Sequence, residues 1–163
     1  MNSSEAGPKR DLLRHALATL AYRGGKAVRD TQESFAGFRA SETSRTPVQL
    51  LAHIGDLLDW TMRLADGKHD WHDSAPLVWE KEIERFFASL AALDARFASA
   101  EPLAPPEEKI FQGPIADALT HVGQIVMLRR LAGVPMRSEN YFKAKIAAGE
   151  VGASQAAPPF EFD

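Results

Sequence analysis

The segment Gly113–Gly133 constrains the fold more than any other stretch of this chain. It reads as one helix with both ends punctuated. Pro114 suits the first helical position, where a missing N–H leaves nothing unpaired, and Gly133 followed by Pro135 is a stop signal. At about 100° per residue, Ile115, Leu119, Val122 and Val126 form one apolar stripe. Asp117, His121 and Gln124 share the opposite side with Leu128. Such a helix is expected to be buried on both sides, and buried polar groups are unfavourable unless they are paired or bind something. Asp117 and His121 lie one turn apart, and the first question is what they hold.

Three more segments have helical periodicity. From Pro8 to about Arg29, Leu13, Ala16, Leu17, Leu20, Gly24, Ala27 and Val28 recur on one face, and Gly24 lets a neighbouring helix approach closely. His15 falls on the far, solvated side. A second helix opens at Thr46, a good N-cap, with Pro47 in the first position and Gln49 completing a capping box. It runs to about Ala65, with Gly67 as its stop. Leu50, His53, Ile54, Leu57, Trp60 and Leu64 share one arc, which turns His53 inward, while Asp56, Asp59 and Arg63 are expected on the other side. A third helix is predicted from about Ser74 to Ala98, burying Trp79, Ile83, Phe86, Phe87, Leu90, Leu93 and Phe97.

The connections are polar or broken. Residues 30–45 form a long link with Phe35 and Phe38 as anchors, and long links are often functional. Glu101–Lys109 contains Pro102, Pro105 and Pro106 and is expected to be irregular. Beyond Gly133, Asn140–Glu150 is a candidate short helix and the tail to Asp163 is expected to lie extended, with Glu139, Asn140 and Tyr141 as candidates to cover the site mouth. No segment alternates like a strand. These four amphipathic helices imply an all-α four-helix bundle in a single domain, 1–163, with its core over about 8–135 and an irregular C-terminal extension over 136–163. The connection lengths leave open whether the helices run up and down or cross over.

With 163 residues, one domain is long enough to bury a real core. A balance of 19 basic against 22 acidic residues, net −3, gives no electrostatic case for nucleic acid. The absence of cysteine excludes disulfides, thiolate metal sites and a cysteine nucleophile, and fits a reducing compartment. The polar N-terminus has no secretion-type apolar run and no stretch is long enough to span a bilayer, so a cytoplasmic protein without membrane contact is the expectation. No phosphate-binding glycine motif and no Gly-x-Ser-x-Gly elbow is present.

Helical bundles build ligand sites from inward polar residues on facing helices. Here those residues are His53 on the second helix and Asp117, His121 and Gln124 on the fourth. Residues four apart on a helix have Cβ atoms about 5–6 Å apart, so Asp117 and His121 can reach one ion, with His53 as a third ligand. Two imidazoles and a carboxylate leave coordination positions open, as in catalytic rather than structural sites. The plainer alternatives are a hydrogen-bonded core histidine at position 53 and a ligand-free Asp117–His121 pair near a helix N-terminus. Gln124 and Trp60 are expected beside the site. His69 and His72, with Asp70 and Asp73, form a rival pair that reads as polar surface.

The run Thr46-Pro47-Val48-Gln49-Leu50-Leu51-Ala52-His53-Ile54-Gly55-Asp56-Leu57-Leu58-Asp59-Trp60, followed by Thr120-His121-Val122-Gly123-Gln124-Ile125, resembles the DinB/YfiT-like superfamily. The resemblance spans residues 8–135. It implies a four-helix bundle that binds a divalent metal through one histidine on the second helix and two, four residues apart, on the fourth. Carried over, these positions are His53 and His121, with Asp117 where the family has a histidine. It also implies a homodimer, a small-molecule substrate and, for some members, thiol S-transferase or thiol-dependent isomerase activity with a low-molecular-weight thiol. A carboxylate ligand makes the ion a poorer Lewis acid and favours manganese, iron(II) or nickel while still allowing zinc. The expected function is a divalent-metal-dependent transferase or hydrolase that activates a thiol or a water. The alternative is a non-catalytic dimeric bundle or small-ligand binder in which Asp117 marks a degenerate site.

Overall fold

The computed structural model describes residues 6–163, and the chain is mostly helical. The long helices are α1 (Ala6–Val28), α3 (Pro47–Ala65), α4 (Trp79–Ala98) and α6 (Ala116–Leu131), with short turns α2 (Glu33–Ala36) and α5 (Glu107–Ile110) between them. α1 and α3 each pack against both α4 and α6. The order around the core is therefore α1, α4, α3, α6. The links at 29–46 and 99–106 join helices that face each other diagonally, whereas 66–78 joins neighbours. Fully buried Leu17, Leu20, Leu51, Ile54, Leu58, Trp79, Phe86, Leu90 and Ile115 fill the centre. Gly24 makes the close approach expected of it: a Cβ there would lie 2.6 Å from Phe86 Cζ.

α3 begins as its sequence dictates. Thr46 Oγ1 accepts from the Gln49 N–H at 3.4 Å and Gln49 Oε1 accepts from the Thr46 N–H at 2.9 Å. Two donors that a helix start leaves unpaired are thus satisfied within four residues.

Two helix starts differ from expectation. α4 begins at Trp79, not near Ser74. Pro76 disfavours helical backbone at Ala75, and carboxylates bind the N–H groups at the observed start: Glu82 accepts from Leu77 at 2.8 Å and Glu33 from Trp79 at 3.2 Å. The fourth long helix begins before Pro114. α5 follows Pro106 and runs without a break through a π-helical turn, Phe111–Ile115, into α6. Pro114 cannot donate the bond an α-helix requires there, and the wider turn absorbs that missing donor. So only the first part of Glu101–Lys109 is irregular.

Asp56 also departs from its expected solvent side. It is buried in the α3–α4 seam, accepting from the Ser74 N–H at 2.9 Å and from Arg85 Nη2 at 2.6 Å. The same Arg85 nitrogen donates to Asp59 at 2.6 Å. Gly55 makes room for this guanidinium, since a Cβ there would stand 2.9 Å from Arg85 Cζ.

The C-terminal segment is irregular and contains a 3-10 turn at Tyr141–Lys143 in place of the helix expected over Asn140–Glu150. It also contains a two-residue ladder, β1 (Ser138–Glu139) against β2 (Glu161–Phe162), which no alternation announces because it is so short. Buried Glu139 accepts from Tyr22 Oη at 2.6 Å and Lys26 Nζ at 2.8 Å, and Lys26 also reaches Glu161 at 2.7 Å. These bonds tie the tail to α1. Arg129 of α6 closes the end of α1: its Nη1 donates to the carbonyls of Lys26, Ala27 and Arg29 at 3.0–3.2 Å. No helix among the described residues is long and apolar enough to cross a membrane.

Candidate metal centre

α3 and α6 are neighbours around the core, so the inward face of one meets that of the other. His53 of α3 and Asp117 and His121 of α6 converge there. Among the described residues they form the one group of histidine and acidic side chains whose ligand atoms all lie within 4.8 Å of one another. His121 Nε2 stands 3.4 Å from Asp117 Oδ1, and His53 Nε2 stands 3.9 Å from Asp117 Oδ2. The imidazole rings cross at 87° with centroids 4.7 Å apart. The π-helical turn ends at Ile115, two residues before Asp117. Such turns recur where a helix serves a functional site.

These separations discriminate between the two kinds of polar cluster. Nitrogen–oxygen hydrogen bonds measure about 2.7–3.2 Å, so neither histidine is hydrogen-bonded to Asp117. Two donors each about 2.1 Å from one ion lie about 3.0 Å apart at a right angle and about 3.4 Å apart at the tetrahedral angle. The 3.4 Å from His121 to Asp117 Oδ1 matches the tetrahedral value, and His53 stands 3.9 Å from the other carboxylate oxygen, Oδ2. Two imidazoles and a carboxylate gathered in this way could hold a divalent ion.

His121 is prepared for that role. Its Nδ1 lies 2.9 Å from Gln124 Oε1. An amide oxygen only accepts, so this contact favours the tautomer with its proton on Nδ1, the one that leaves Nε2 for an ion. For His53, burial is the largest influence, followed by His121 and Arg45. Together they hold its imidazole below the ordinary 6.5, against the opposite pull of Asp117 and Asp56. A neutral imidazole is the ligating form.

The cluster is not buried on both sides. Asp117 is 48% exposed, and Gln124 is exposed as well. The polar side of α6 opens onto a cleft of about 580 Å³ lined by Arg45, Leu50, His53, His121, Met127 and Leu128, among others. A helix wheel assigns this side to the interior because Leu128 shares it. In space, Leu128 is a wall of the cleft.

The remaining sequence expectations are placed as follows. Trp60 stacks edge-to-face on Trp71 at 5.6 Å, and Trp71 in turn lies 5.5 Å from the His53 ring. Trp60 thus reaches the site through Trp71. His72 pairs with exposed Asp70 at 3.0 Å and Asp70 also binds Arg63, so this histidine belongs to a surface ion-pair network. Tyr141 and Glu139 pack beside α1 and the opposite face of α6, away from the cleft. Trp71, Arg45 and Met127 escaped the sequence reading. Trp71 had one signal, a lone aromatic residue in a polar loop, while Arg45 and Met127 had none.

No protein-family model, curated protein or solved structure matches the chain.

Proposed function

We propose that the chain is a divalent-metal-dependent enzyme on a four-helix bundle of the DinB/YfiT type, with His53, Asp117 and His121 holding the ion. The supporting observation is the convergence of three potential ligand atoms within 4.8 Å of one another, with neither histidine hydrogen-bonded to Asp117. When bound, the ion supplies Lewis acidity, which lowers the pKa of a water or of a small thiol so that it attacks an electrophile. Gln124 Oε1 accepts from His121 Nδ1 in the tautomer that leaves Nε2 for the ion, and Trp71 covers one edge of His53. The adjoining cleft is in the size range of small-molecule sites, about 300–1,000 Å³. The reaction class is thiol-dependent S-transfer or hydrolysis on a small cytoplasmic substrate, by a homodimer.

Elemental analysis of the purified full chain tests the metal, with His53→Ala, Asp117→Ala and His121→Ala beside it. The wild-type chain is expected to carry or take up Mn, Fe, Ni or Zn, and His121→Ala to lose it. A wild-type chain that cannot be loaded with any of them refutes the reading and leaves a ligand-free bundle. In that case a chelator leaves the melting temperature unchanged, whereas loss of a bound ion lowers it by linkage. Transfer of glutathione, bacillithiol or mycothiol to an electrophile tests the thiol version. No turnover with any of them leaves the hydrolytic one.

A further inference from the structure

The cleft beside the candidate metal centre has a chemical polarity that the three ligands do not explain. One wall is apolar, made by Leu50, Met127 and Leu128. Arg45, whose side chain is exposed, lines the same cleft with His53. Among the described residues, no hydrogen bond or ion pair engages the Arg45 guanidinium. None of the residues lining the cleft is acidic; Asp117 adjoins it beside His53 and His121, and Arg45 also borders a second cavity with Asp56 and Asp73.

Arg45 is also held in place from both sides. Arg39 Nη1 donates to the Ser44 carbonyl at 2.6 Å, and Ser44 Oγ donates to the Ser41 carbonyl at 3.0 Å, which closes the turn before it. Thr46, immediately after it, is fixed by the capping box to Gln49. The backbone on each side of Arg45 is therefore ordered before any ligand arrives, so no loop has to be ordered on binding. A guanidinium presents a planar set of donors that matches a carboxylate in two parallel hydrogen bonds.

We propose that this cleft selects a small organic carboxylate with an apolar body, the acid group on Arg45 and the body against Leu50, Met127 and Leu128. This deepens the metal-enzyme reading and rests on its placement of the reacting centre at His53, Asp117 and His121. The selecting cation, however, belongs to the chain itself and acts with or without a metal. The volume of about 580 Å³ accommodates an acid with one or two fused rings.

Calorimetric titration of the full chain, as purified and after chelation, tests this with a matched pair of probes, naphthylacetate and naphthylacetamide. The two share shape and apolar area and differ in charge. The acid is expected to bind about three- to tenfold more tightly than the amide in both preparations, the range for a charge-assisted contact to an exposed guanidinium. Arg45→Ala should bring the two probes to within about twofold of each other, and Arg45→Lys should recover part of the difference. Because Arg45 is exposed, its variants should keep the wild-type melting temperature, which separates lost binding from lost folding. Equal binding of acid and amide by the wild-type chain overturns the proposal. So does a preference that survives Arg45→Ala, which assigns selection to the metal. Inorganic phosphate binding as tightly as naphthylacetate overturns it too, since it marks a simple anion site. Absence of saturable binding by either probe up to about 10 mM, where affinity is barely 3 kcal/mol, also overturns it. A chain that cannot be loaded with Mn, Fe, Ni or Zn yet still distinguishes acid from amide through Arg45 refutes the metal reading alone.

Discussion

Gln124 provides the most discriminating test of the metal centre, because it touches no ion itself. Its Oε1 holds His121 Nδ1 at 2.9 Å, and its side chain is otherwise exposed. Gln124→Leu removes the acceptor while leaving the three ligands and the buried core in place. His121 is then free to rotate and to place its proton on either nitrogen. Partners of this kind are worth about 10–100-fold in metal affinity, or about 1.4–2.7 kcal/mol. Water competes for an exposed amide, so the lower end applies and a loss of about tenfold is expected. Gln124→Glu has the opposite sign. A carboxylate accepts the same proton, raises the basicity of Nε2 and adds attraction for a cation, so affinity should rise a few-fold, on the order of 1 kcal/mol or less. Both variants are compared with His121→Ala by competition against a metal-responsive chelator. The metal-free melting temperatures, measured in parallel, should stay close to wild type because Gln124 buries little. Affinities of both variants within about twofold of wild type, with His121→Ala non-binding, would refute the argument that this hydrogen bond sets the ligating nitrogen.

Three further outcomes follow from the packing and the charges. Gly24→Ala should destabilise the fold by about 1–2 kcal/mol in urea unfolding, because the new Cβ meets fully buried Phe86 at 2.6 Å and overpacking outweighs the gain in helix propensity. Gly25→Ala, whose Cβ meets half-buried Phe87 at 3.3 Å, should be neutral or stabilising, and equal losses at the two positions would contradict the geometry. Arg129→Met should cost about 2–4 kcal/mol, since three carbonyls at the end of α1 and that of Val134 lose their shared donor; a loss under about 1 kcal/mol would show that water replaces it. The pH dependence of the chelated protein should carry a contribution from His53. Burial, with His121 and Arg45, lowers its folded pKa below 6.5, so the native state favours the neutral ring and the unfolded chain binds the proton more readily. That contribution is fully present above pH 6.5 and is lost as pH falls through the lowered folded value. His53→Gln should flatten the difference, and superimposable pH–stability curves would argue against it.

Local chemistry determined much of this molecule. The start of α3 is written in Thr46, Pro47 and Gln49, because a capping box closes within four residues and needs no distant partner. The inward face of α4 was legible for the same reason: its aromatic stripe repeats at the helical period, and Trp79, Phe86 and Phe97 are buried as that period requires. His53, Asp117 and His121 could be nominated because each stands on a face whose neighbours are apolar.

Tertiary structure decided the rest. Asp56 reads as a solvent-side acid, yet it is buried because Arg85, far along the chain, comes to meet it across the α3–α4 seam. Pro114 reads as a helix start, yet it lies inside a longer helix because a π-helical turn supplies the slack its ring needs. Glu139 has no local signal at all, since its partners Tyr22 and Lys26 lie on the first helix. The same holds for the candidate centre. Periodicity places a side chain on a face but says nothing of which faces meet. Only the order α1, α4, α3, α6 around the core brings His53 within 3.9 Å of Asp117 and opens their cleft to Arg45.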